Sequence, residues 1–133
     1  MSGILQISEA ASLALHSMAL LAKADHLLTT NAIADATNAS QAHLSKVLQR
    51  LSKAELVSSV RGPSGGFCLA RPADTITLLE IYETIEGNLE FSGCLLRDNE
   101  TCLYERCMFN GLLEELTIQF RDYLASHTLA DIV

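Results

Sequence analysis

Between Leu56 and Ala70, two short β-prone runs, Leu56-Val57-Ser58-Ser59-Val60 and Phe67-Cys68-Leu69-Ala70, flank the turn Arg61-Gly62-Pro63-Ser64-Gly65-Gly66. Runs of this length around a Gly/Pro-rich turn predict a β-hairpin. What precedes it narrows the fold further. The stretch Thr29 to Thr37 predicts a short helix from Thr30, closed by Asn38. Ser40 can then cap a helix from Gln41 to about Ala54, in which Leu44, Val47, Leu48 and Leu51 recur at i, i+3, i+4 and i+7. Two short helices joined by a tight turn make a helix-turn-helix, and a hairpin directly after one makes a winged helix. The expected fold is mainly α with a small β-hairpin.

Helices should flank this unit. Ile7 to about Ala24 carries Ile7, Ala11, Ala14, Leu15, Met18, Leu21 and Ala22 at helical period, with Ser8 as a cap. Thr77 to about Glu86 predicts a further short helix, stopped by Gly87. A long helix is expected from Met108 or Phe109 to about Ala125, with Phe109, Leu112, Leu113, Leu116, Phe120, Tyr123 and Leu124 on one face. Little chain remains for that face to pack against. Phe109, Leu112, Leu116 and Phe120 are therefore expected to form a homodimer interface, with packing inside the monomer as the alternative. The resulting division is 1–87 for DNA binding, 88–107 for a cysteine-bearing sensor loop, and 108–133 for a dimerisation helix and tail.

The 133 residues are 49% hydrophobic, enough for one domain with a real core. No apolar run approaches the roughly 18 residues of a membrane span, so no membrane partner is expected. Met1-Ser2-Gly3-Ile4-Leu5 lacks the basic and long apolar regions of a signal peptide, so a cytoplasmic location is expected. The net charge of −7 argues at first against a nucleic-acid partner. Its distribution argues otherwise: residues 1–75 sum to +1 and residues 76–133 to −8. Within 40–75, Lys46, Arg50, Lys53, Arg61 and Arg71 face only Glu55 and Asp74.

In a helix-turn-helix the start of the second helix enters the major groove of double-stranded DNA. Ser40, Gln41, His43 and Lys46 would then point at base edges or phosphates, and Arg50 and Lys53 would sit near phosphates. In the wing, Gly62, Gly65 and Gly66 permit close approach, with Ser64 beside them, and Arg61 can enter the minor groove, whose potential attracts guanidinium. The competing reading is a solvated helix face and a plain turn.

Cys94, Cys102 and Cys107 follow a C-x7-C-x4-C spacing in the least regular part of the chain. Three thiolates there suit a soft metal or an iron–sulphur cluster. Ordinary reduced thiols and a disulfide switch are the alternatives. Structural zinc would favour a tight C-x2-4-C pair, which is absent. Cys68 stands apart in the predicted wing strand. No Ser/His/Asp set, paired-carboxylate site or phosphate-binding loop is spaced for catalysis, so neither enzymatic activity nor a small-molecule substrate is expected. A small thiol oxidoreductase is the rival from another class, and the missing C-x-x-C pair speaks against it.

From about Ile7 to Val133 the chain resembles the iron–sulphur winged-helix regulators of the IscR, NsrR and RsrR type. The resemblance is carried by Leu56 to Phe67, by Ile76-Thr77-Leu78-Leu79-Glu80-Ile81, by three cysteines before a long helix, and by the ending Thr128-Leu129-Ala130-Asp131-Ile132-Val133. It implies a homodimer with crossed long helices, a cluster near their interface, and operator DNA held by two winged helices. It also implies that cluster state sets DNA affinity in response to iron, redox or nitrosative stress. The fourth ligand divides these regulators. A histidine three positions after the last cysteine is here Asn110. An aspartate of the first helix is here Ser12. In the glutamate–histidine pair of the RsrR type, Ser12 replaces the glutamate but His16 matches the histidine. The resemblance thus points to Cys94, Cys102, Cys107 and His16, with Glu9 as an outside possibility, and such ligation favours a 2Fe-2S cluster over 4Fe-4S. A helix-packing role for His16 and a cluster-free regulator switched by cysteine oxidation or partner binding are the alternatives.

Overall fold

Side-chain caps fix where the first three helices begin. Ser8 accepts the Ala11 N–H at 3.0 Å and starts α1 (Glu9–Lys23). Thr29 accepts the Ala32 N–H at 3.1 Å and starts α2 (Thr30–Thr37). Ser40 accepts the His43 N–H at 3.1 Å and starts α3 (Gln41–Lys53). Each cap satisfies a donor that a helix start leaves open. Asn38 closes α2 at φ 54°, a left-handed conformation that asparagine tolerates. The structure, a computed structural model, describes residues 7–90 and 108–133.

The hairpin follows α3. Strands β1 (Val57–Val60) and β2 (Gly66–Leu69) are antiparallel, with Val57 opposite Leu69 and Val60 opposite Gly66. Leu28 and Phe67 exchange both backbone bonds, at 3.1 and 2.8 Å, so the segment entering α2 clamps the wing to the helix-turn-helix. A 3-10 turn (Ala73–Thr75), absent from the sequence expectation, leads into α4 (Leu78–Glu86). A reciprocal Thr77–Glu80 capping box starts α4, and Gly87 ends it at φ 82°.

The long helix begins later than its apolar period suggests. Residues 108–111 form a turn, because Asn110 (φ 49°) and Gly111 (φ 80°) are both left-handed. Helix α5 spans Leu112–Ser126, and a short α6 (Leu129–Ile132) follows.

One core joins these elements. The four aliphatic residues expected beneath α3 are all buried, none more than 2% exposed. At about 1.5–3 kcal/mol for each such side chain, this burial dominates the seating of α3. Helix α1 lies against α2, α3, α4, β2 and α6. Leu124 and Leu129 belong to the same core, so residues 108–133 are structurally continuous with the winged unit. No described helix is long and apolar enough to cross a membrane.

Candidate nucleic-acid interface and metal-ligand face

The turn from α2 to α3 leaves Ser40 and Gln41 exposed, and Lys46 is exposed further along α3. The Ser40 oxygen is also the α3 cap, so capping and display fall on one side chain. His43 is half-buried and turns toward α1. At the wing tip, Arg61, Gly62, Pro63 and Ser64 are all exposed. The tip is closed by the Gly65 N–H, which donates to the Gly62 carbonyl at 3.0 Å. Gly62 has φ 111°, outside the range of ordinary side chains. Gly65 is required for a different reason: a Cβ there would lie 2.0 Å from the Val60 carbonyl oxygen.

Two cations of the 40–75 segment also serve the fold. Arg50, expected beside phosphates, has carbonyl partners in its own chain. Its guanidinium donates to the carbonyls of Thr84 (3.1 Å) and Ile85 (2.7 Å) at the end of α4. Those carbonyls are left open by the helix end, and a cation there also suits the helix dipole. Arg71 pairs with Glu80 at 2.6 Å and donates to the Thr75 carbonyl. Among the described residues, Lys46, Lys53 and Arg61 have no hydrogen-bond or ion-pair partner.

On α1, His16 is exposed, and its Nδ1 lies 2.7 Å from the Ser12 carbonyl oxygen. A carbonyl only accepts, so Nδ1 carries the proton and a neutral His16 offers the bare lone pair of Nε2. This is the state in which imidazole ligates a metal. His16 lines an open groove of about 890 Å³ together with Glu9, Ser12, Lys23, Ala36–Ser40, His43, Ile132 and Val133. The sequence reading did not bring α1, the entry of α3 and the last turn of the chain together. Cys94, Cys102 and Cys107 lie outside the described residues. Cys68 is half-buried on β2, opposite Ser58.

The apolar stripe of α5 is divided between two uses. Leu124 is buried, and Phe120 meets Tyr82 edge-on with ring centroids 5.5 Å apart. Burial, then the Glu86 charge, pushes the Tyr82 phenol above its usual pKa. Phe120, expected at an interface, also packs against its own chain. Leu116 is half-buried, while Phe109, Leu112 and Tyr123 are exposed along the other margin.

A short helix-turn-helix clamped to a glycine-tipped wing is a DNA-reading scaffold. The Rrf2 family model, described as an iron-dependent transcriptional regulator, matches residues 7–133. The chain belongs to the Rrf2 family. It is similar to the transcriptional regulator NsrR of Shouchella clausii, 32% identical over 108 residues, covering 80% of this chain and 72% of that protein. The structure of T. potens IscR superposes with a TM-score of 0.77 at 27% identity, covering 97% of this chain and 86% of that one. CymR, described as the global cysteine regulator of B. subtilis, superposes at 0.75 with 30% identity, covering 97% and 96%. The chain is a DNA-binding transcriptional regulator of the Rrf2 type and, like these relatives, not an enzyme.

Proposed function

We propose that this Rrf2-type regulator binds operator DNA as a homodimer and adjusts its affinity through an iron–sulphur cluster held by Cys94, Cys102, Cys107 and His16, in the 2Fe-2S form. The observation that carries the reading is the His16 ring, whose Nδ1 is committed to the Ser12 carbonyl on an exposed residue, which leaves Nε2 as its ligand atom. The donor chemistry suits the group: three thiolates are the soft ligands such clusters use, and a neutral imidazole can complete the set. The similarity to NsrR and IscR supports the same reading. A bound cluster would supply one-electron chemistry and sensitivity to iron supply, oxidants and nitric oxide.

The DNA side is assigned to Ser40, Gln41, His43 and Lys46 at the recognition helix, and to Arg61, Gly62 and Ser64 at the wing. Phe109, Leu112 and Leu116 form the seam between protomers. Two recognition helices then meet half-sites about one helical turn, roughly 34 Å, apart. A change of cluster state alters that separation, so the cluster acts without touching DNA.

The test is anaerobic reconstitution followed by iron and sulphide counting, with single alanine variants of all four cysteines and of His16. Cys94, Cys102 and Cys107 should each be needed for visible absorbance and Cys68 should not. His16→Ala should shift the spectrum and make the cluster more labile. A His16→Ala spectrum and stability identical to the parent removes His16 from the ligand set. A colourless parent protein leaves the cysteine-oxidation reading, to which the likeness to CymR gives weight.

A further inference from the structure

The joint after α5 is built into the fold. Only His127 and Thr128 separate α5 from α6. The His127 carbonyl accepts the Leu78 N–H at 3.0 Å, one of the donors left open at the start of α4. The Leu129 N–H donates to the Ile76 carbonyl, also at 3.0 Å. His127 stacks on Tyr123 with ring centroids 4.0 Å apart, and its Nδ1 lies 2.8 Å from the Tyr123 carbonyl oxygen. The Thr128 N–H donates to Asp131 at 2.8 Å, and the Asp131 N–H returns to the Thr128 carbonyl at 3.1 Å. Every link across the joint is therefore bonded, and Leu129, 0% exposed, roots it in the core.

Beyond that root, α6 lies against α1 and the 3-10 turn. Ile132 and Val133 reach the groove that also contains Ala36–Ser40 and His43, the entry to the recognition helix. Helix α1 in turn carries both α2 and α3. A shift of α5 cannot be absorbed in a slack loop at the joint. It passes through the bonded residues 127–129 to α6, and from there to α1 and the groove wall.

We infer that Leu129 and Ile132 are positioning residues for DNA reading: they make the last turn of the chain a strut that sets the seat of α3. The inference rests on the DNA-binding function and not on the nature of the sensed signal. Leu129 anchors the strut. Ile132 is its working end, 50% exposed, so replacing it need not unfold the chain.

The experiment uses the full chain and an operator selected by it from a random DNA pool. Ile132→Asn leaves the charge unchanged and wets the groove. The ratio of operator affinity to non-specific affinity should fall about tenfold, while thermal midpoint and oligomeric state stay at parental values. Ile132→Leu should restore the ratio. A parental ratio in Ile132→Asn, or a loss shared equally by operator and random DNA, overturns the inference. If the parent selects no sequence, the DNA-reading function fails and the inference with it. If the parent selects and the variant selects equally well, only the inference fails.

Discussion

Gly65→Ala tests how far the wing depends on backbone approach. The added methyl would start 2.0 Å from the Val60 oxygen, 3.0 Å from the Gly62 oxygen and 3.0 Å from the Val60 carbonyl carbon. Ordinary contact needs well over 3 Å, so the tip must open by at least about 1 Å. The obstructing atoms are backbone, and no side chain can rotate away. Opening the tip removes the Gly65–Gly62 hydrogen bond and loosens the Val60–Gly66 end of the ladder. Two such bonds at about 0.5–1.5 kcal/mol each cap the loss of stability at about 3 kcal/mol. The exposed tip can yield locally, which favours the low end, about 1 kcal/mol. DNA binding should suffer more, because Arg61 loses its fixed approach. A misplaced base or groove contact costs about 1–3 kcal/mol, or roughly 5- to 150-fold in affinity. Urea unfolding gives the first quantity, and fluorescence anisotropy of a labelled operator at fixed salt gives the second. Arg61→Ala combined with Gly65→Ala should be no worse than Arg61→Ala alone, because both remove one contact. Strictly additive losses, or parental affinity in Gly65→Ala, would refute the reasoning.

Four further perturbations separate function from scaffold. Arg61→Ala should lower operator affinity and reduce the slope of log affinity against log salt by about one, leaving thermal stability unchanged. Arg50→Ala should do the reverse: about 1 kcal/mol less stability in urea, through loss of the α4 cap, with no change in salt slope. Leu112→Asp, at a site 46% exposed in the single chain, should yield folded monomers by sedimentation; a dimer of parental stability places the interface elsewhere. Ser17→Ala should raise stability by about 1 kcal/mol, because the Ser17 hydroxyl is buried with no partner among the described residues and alanine favours helix; a lower melting temperature would mean the hydroxyl is bonded.

The sequence revealed the parts whose causes are local. Ser8, Asn38, Ser40 and Gly87 mark helix ends through their own backbone and side-chain chemistry, and each stands where that chemistry places it. The Leu44–Leu51 stripe was legible because its period is the period of the helix. The Arg50 contacts were not legible because their partners lie 34 and 35 residues away and nothing local marks them. The late start of α5 was missed because an apolar period continues through a turn as easily as through a helix; φ at Asn110 and Gly111 decides it. Helix α6 and the 3-10 turn lie against each other, and the Thr77–Thr128 bridge joins the caps of α4 and α6, so neither short element signals alone. The groove around His16 combines three chain segments, and only folding brings them together.

How a chain with net charge −7 reads DNA follows from where its charges are spent. Glu80 is neutralised within the fold by Arg71, and the Arg50 charge is absorbed by carbonyls at the end of α4. These pairings draw cations and anions together on the side of α4. Lys46, Lys53 and Arg61 remain available on α3 and the wing, with only Glu55 and Asp74 as acids in the 40–75 segment. The other acids fall mainly after residue 76, on α4, α5 and beyond. With so few unpaired cations on α3 and the wing among the described residues, phosphate neutralisation there supplies a modest share of the binding energy. A dimer of such chains should therefore show a shallow salt dependence for its size and owe more of its affinity to base and groove contacts. Weak binding to random DNA is the corollary, since the sequence-independent term comes almost entirely from those phosphate contacts. The acidic remainder sharpens that contrast by repelling DNA wherever the recognition helix and wing are not engaged.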